Sequence, residues 1–73
     1  MTDQEIKRIF EVYKPPFTYD RNGQWITDVN EKIIWEIRGW GYLQKFIDGQ
    51  QVQDNAGKLI AELLNKEYER LKG

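Results

Sequence analysis

The residues of this chain best equipped for chemistry stand together as Arg38-Gly39-Trp40-Gly41-Tyr42, with Lys45 close behind. Trp40 and Tyr42 offer π faces, and stacking on an aromatic is worth about 1–3 kcal/mol per base. Arg38 carries a planar fork of donors suited to phosphate or carboxylate. Gly39 and Gly41 let a ligand come close to the backbone. Lys45, and Arg21 and Lys14 if the chain folds back, would add positive charge. The same spacing equally suits a core plug. In that case Trp40 packs inside, the glycines bend the chain out of a strand, and the lysines are ordinary solvated charges.

What is missing narrows the chemistry further. None of the 73 residues is Cys or His. Without them there is no Ser-His-Asp or Cys-His nucleophile, no imidazole or thiolate zinc site, and no ordinary neutral-pH proton shuttle. A binding role with no catalytic residue, no metal and no cofactor is the expectation. Asp20-Arg21-Asn22-Gly23 and Asp28-Val29-Asn30-Glu31 carry an Asp-x-Asn pattern. Neither spreads ligands over twelve residues to a closing Glu, as an EF-hand loop must. They read as turns. Glu36 can sit across a sheet from Asp20 or Asp28, yet nothing in the pattern marks such a pair for acid–base work.

Charge removes other partners. Eleven basic and twelve acidic residues give a net charge of −1, distributed evenly along the chain. No basic arm exists to release counterions from DNA, so nucleic acid is not expected. The longest run of strong apolar residues is Ile33-Ile34-Trp35, far short of a bilayer span. The start, Met1-Thr2-Asp3-Gln4-Glu5, lacks the features of a signal peptide. No membrane partner and a cytoplasmic setting are the expectation.

Three elements must position the aromatic–glycine segment, within a single small α+β domain over residues 1–73. Ile6, Ile9, Phe10 and Tyr13 recur at helical spacing behind a Thr2/Glu5 capping box, and Lys14-Pro15-Pro16 ends that short helix. Residues 17–38 read as a three-stranded antiparallel meander, with Asn22-Gly23 as the first hairpin turn and 28–31 as the second. Here Trp25, Ile33, Trp35 and Ile37 are expected to face the core, and Ile26 and Ile34 the other side. From about Gln51 to Leu71, the residues Val52, Ala56, Leu59, Ile60, Leu63, Leu64, Tyr68 and Leu71 form one amphipathic stripe, a long C-terminal helix packed on one sheet face. Gly57 interrupts it at a cost of about 1 kcal/mol, which predicts a close approach to the sheet. The other sheet face needs cover from the N-terminal helix or from a second copy. A chain this short, with ten aromatics and no disulfide, gains from self-association, and a homo-oligomer is expected.

Lys14-Pro15-Pro16-Phe17 through Asp20, Gly23, Ile37 through Leu43, Gln53 through Gly57 and Ile60 through Asn65 together resemble a group of small bacteriophage- and prophage-encoded proteins. Its pattern is an R-G-W-G element after a β-meander, followed by a helix reading Q-D-x-x-G-x-x-I-A-x-x-L-N. The likeness covers about residues 14–65, and Glu31 stands where a turn glycine is expected. It implies phage origin and action in the host cytoplasm on host machinery. A counter-defence sponge would sequester a nucleotide-derived immune signal, with Trp40 and Tyr42 stacking a base and Arg38 and Lys45 holding phosphate. An anti-CRISPR-like inhibitor would bind a host defence protein through the same aromatics. A phage structural component is the third reading.

Overall fold

The computed structural model describes residues 1–37 and 45–72. Arg38, Gly39, Trp40, Gly41, Tyr42 and the two residues after them therefore lie outside the described residues, as does Gly73. The expected α+β order is present: helix α1 (Asp3–Val12), strands β1 (Thr18–Asp20), β2 (Trp25–Thr27) and β3 (Ile33–Glu36), then helix α2 (Gly49–Lys72). The strands form one antiparallel sheet in the order β1-β2-β3.

Helix α1 begins as its capping residues dictate. Glu5 N–H donates to the Thr2 hydroxyl and Thr2 N–H donates to the Glu5 carboxylate, satisfying two end donors at once. It stops at Tyr13, whose backbone is already extended two residues before the prolines. The Pro15–Pro16 bond is cis. This helix packs on α2 rather than on the sheet. Phe10 meets Tyr68 edge-on at 5.5 Å and Phe17 at 5.7 Å between ring centres. The N-terminal helix thus closes the far end of α2 and leaves the outer sheet face bare.

The first turn differs from the expected two-residue Asn-Gly form. It spans Arg21–Gln24, closed by the Gln24 N–H donating to the Asp20 carbonyl at 2.9 Å or less. The left-handed residue is Gln24, at φ 57°. Gly23 serves a different purpose, because a Cβ there would collide with the indole of Trp25. In the second turn Glu31 holds φ 64°, the position where a glycine was expected. Asp28 organises that turn by accepting the N–H groups of Asn30, Lys32 and Lys14, each at 2.9 Å.

The expected core face is corrected in part: Ile37 is fully buried as expected, but Ile33 and Trp35 are exposed and Trp25 is half-buried. Register pairs Tyr19 with Ile26 and Ile26 with Trp35 on the side under α2, while Asp20, Trp25 and Glu36 share the opposite side. Ile26 is fully buried, whereas Ile33 is 43% and Trp35 50% exposed. Helix α2 lies across β1 and β2 only, so Trp35 on the third strand stands beyond its cover. A register shift between Ile26 and Thr27 moves Ile33 opposite Thr27 and lets Ile34 pack on the core. Alternation alone assigns two sets of side chains but not which set is covered.

The helix stripe is corrected too. Ile60, Ala61, Leu64, Tyr68 and Leu71 pack on Phe10, Phe17 and Ile26. Val52, Leu59 and Leu63 are instead 41–55% exposed. The inward face is narrower and more polar than the apolar count suggested. Gly57 behaves as expected, since a Cβ there would overlap the Tyr19 ring.

Two substitutions read this packing. Gly57→Ala gains helix propensity of about 1 kcal/mol but drives a methyl into a ring that is tethered at its hydroxyl, so a net loss of about 1–3 kcal/mol is expected in urea unfolding. Glu31→Gly removes a left-handed cost of about 1–2 kcal/mol against added unfolded-state freedom, and should raise stability by about 0.5–1 kcal/mol in the same measurement.

Candidate functional site

The segment on which the sequence places a ligand, Arg38 through Tyr42, cannot be located from the described residues. Its start is defined. Ile37 is fully buried and its N–H donates to the Gln24 carbonyl at 2.9 Å, so the chain leaves β3 beside the first turn. Lys45 is exposed just ahead of α2. Arg21 and Lys14 each have partners among the described residues, and Lys14 also lines a small pocket with Lys7 and Lys72. Arg21 is ion-paired with Asp54 at 2.9 Å, and Lys14 is tied by its backbone to Asp28 and Val29.

The helix pattern Gln53-Asp54-x-x-Gly57-x-x-Ile60-Ala61-x-x-Leu64-Asn65 is the face that docks on the meander. Asp54, only 4% exposed, accepts from the Tyr19 hydroxyl at 2.8 Å and from the Gln50 amide at 2.9 Å. Gln53 donates to the Gln24 side chain at 2.6 Å. Asn65 makes a two-way clamp on Phe17, accepting its N–H at 2.7 Å and donating to its carbonyl at 2.9 Å. The pattern's residues thus hold the helix to the meander: the polar ones bond β1, the first turn and the Phe17 segment, and Ile60, Ala61 and Leu64 pack on the core. Sequence reasoning missed this role because it sorted α2 by apolar residues, while four of the seven inward positions are Gln, Asp, Gly and Asn. The period itself was the available signal: offsets 0, 1, 4, 7, 8, 11 and 12 trace one helical face.

Titration follows from these contacts. Burial pulls the Asp54 carboxyl up, but the hydrogen bonds from Tyr19 and Gln50 and the Arg21 charge outweigh it, leaving its pKa below the ordinary aspartate value. Burial acts the same way on Asp28 and is outweighed by the N–H groups of Lys14, Lys32 and Asn30. The Tyr19 hydroxyl is raised, first by burial and then by its bond to Asp54. These carboxylates serve as structural acceptors, and their oxygens are already engaged by donors of the fold.

Among the described residues, two surfaces of the sheet remain open. The outer sheet face is a shallow groove of about 760 Å³, lined by Thr18, Trp25, Thr27, Val29 and Ile33 with Asp20, Arg21, Asp28 and Glu31 at its margins. One cation against three carboxylates is a poor field for a phosphate. The second surface is the β3 edge. Among the described residues no strand pairs with its outer side, and it presents Ile33 on one face and Trp35 on the other. An edge with large apolar side chains on both faces is an adhesive surface for another chain.

No protein-family model, curated protein or solved structure matches this chain. No helix among the described residues is long and apolar enough to cross a membrane.

Both depressed carboxylates predict acid sensitivity of known sign. A lowered folded-state pKa contributes stability that is complete above the ordinary aspartate range and is lost as pH falls below about 4. The urea midpoint should therefore drop between about pH 5 and pH 2.5, and Asp54→Asn should make that drop shallower, with Asp28, Asp3 and Glu5, whose carboxyl pKa values are also lowered, contributing to what remains.

Proposed function

We propose that this chain is a non-enzymatic binding protein that acts by seating a partner protein against its β3 edge. The observation that carries this reading is Trp35, half exposed on an edge strand beyond the reach of α2. Trp, Tyr and Arg dominate the energetics of protein interfaces, especially where neighbouring apolar groups exclude water around them. On the other face of the same edge, Ile33 and Val29, 43% and 53% exposed, add apolar surface. An open edge also offers main-chain donors and acceptors to an added strand. With the resemblance to small phage proteins, this supports an inhibitor of a host defence effector, working in the host cytoplasm.

A nucleotide-sequestering sponge is the second reading, favoured by the buried anchor at Ile37. That anchor fixes where the chain leaves the sheet, next to the first turn, immediately before Arg38-Gly39-Trp40-Gly41-Tyr42 in sequence. In it Trp40 and Tyr42 stack a base, and Arg38 and Lys45 hold phosphate.

The two readings separate in one experiment. Affinity capture from host extract with the native chain and with Trp35→Ala should yield one stoichiometric protein that the variant loses, a weakening of tenfold or more for a hot spot. Calorimetric titration with cyclic dinucleotides and ADP-ribose derivatives should stay silent. Heat from a nucleotide that Trp40→Ala abolishes and Trp35→Ala spares would overturn the protein-partner reading in favour of the sponge.

A further inference from the structure

Helix α2 carries a second apolar line that the core does not use. Val52, Ala56, Leu59 and Leu63 are spaced four, three and four residues apart. At about 100° per residue they fall within about 60° of one another, and about 140° away from the face that holds Gly57, Ala61 and Leu64. Val52, Leu59 and Leu63 are 41%, 55% and 54% exposed. A four-three spacing of apolar residues is the seam of a helix pair, with each side chain entering a gap on the facing helix.

We propose that this line is the interface of an antiparallel homodimer, related by a two-fold axis passing between Gly57 and Lys58. The register is self-complementary. With that axis Val52 meets Leu63 of the second copy and Ala56 meets Leu59, and symmetry repeats both contacts, so the four apolar positions are satisfied with none left over. The small Ala56 opposite the large Leu59 allows the helices to approach at the centre.

Charge agrees with the same register. Asp48, just ahead of the helix, falls near Lys66 of the second copy at both ends of the seam. The two Glu62 side chains lie about nine residues apart along the axis, roughly 13 Å, and are screened from each other. Antiparallel helices also set each positive N-terminus beside the other's negative C-terminus. A parallel pair would lose the Asp48–Lys66 contacts.

The chain has reason to associate. Among the described residues the buried apolar side chains are Phe10, Phe17, Ile26, Ile37 and Ala61, a small core for 73 residues. The line lies on the side of α2 turned away from the sheet, so dimerisation leaves the β3 edge open and does not depend on the partner reading given above.

The test is sedimentation of the full chain together with directed cross-linking. The native protein should sediment as a dimer at about 100 μM, since a seam of about three turns lies at the small end of specific interfaces. Leu59→Glu with Leu63→Glu should sediment as a monomer while keeping its helical circular dichroism, because both side chains are exposed in the monomer. The sequence contains no cysteine, so an Ala56→Cys chain mixed with a Leu59→Cys chain reports the register directly. Oxidation should favour the mixed disulfide over either self-disulfide. A native chain that sediments as a monomer at about 100 μM, or a double variant that remains dimeric, overturns the interface. Preferential self-disulfides overturn the antiparallel register.

Discussion

The docking of α2 on β1 is the interaction on which the rest of the molecule depends. A three-stranded sheet of three- and four-residue strands is marginal without something packed on it, and among the described residues the long element available is the C-terminal helix. Contact is made at Gly57, where the missing side chain admits the Tyr19 ring. The ring's hydroxyl is then held by Asp54, which also collects Gln50 and Arg21. A residue with any Cβ would hold the helix off the strand, and an Asp54 without these donors would be an uncompensated charge under the helix. Geometry and electrostatics thus require one another at this point.

Asn65 repeats the arrangement two turns further along. By pairing with both backbone groups of Phe17 it fixes the segment that follows the two prolines, and with it the direction in which β1 enters the sheet. Phe17 in turn lies between Phe10 and the helix, which is how α1 acquires a place to dock. The order of dependence runs from α2 to β1, then to the Phe17 corner, and last to α1. Because this docking occupies β1 and β2, the third strand is left at the margin. The exposed Trp35, the bare outer face and the unused line on α2 are all consequences of one helix covering two strands.

The helix pattern Gln53-Asp54-x-x-Gly57-x-x-Ile60-Ala61-x-x-Leu64-Asn65 takes on a structural meaning in that light. Gln53, Asp54, Gly57, Ile60, Ala61, Leu64 and Asn65 specify how a helix sits on a meander. A likeness carried by them is a likeness of architecture, and any binding chemistry has to be sought in the residues the pattern leaves free.

Much of the fold was legible in the residues themselves because its signals are local. A capping box, a proline pair, alternating strands and a glycine in a helix each act over a few positions, and every one produced the expected element. The turn at Glu31 shows the limit of such signals: the backbone adopts the left-handed conformation that calls for glycine although the residue is not one, since Asp28 secures the loop with three backbone donors. Which face of the sheet is inside, and which of two apolar lines on α2 meets it, could not be decided locally. Both faces carry tryptophan or isoleucine, so hydrophobicity does not distinguish them. The choice fell to a polar group and a missing side chain, Asp54 and Gly57, whose value appears only when Tyr19 is brought across from 35 and 38 positions away. The sequence alone determined what elements form and where they end. Only the tertiary structure decided what each one buries, because burial is set by complementarity between surfaces distant along the chain.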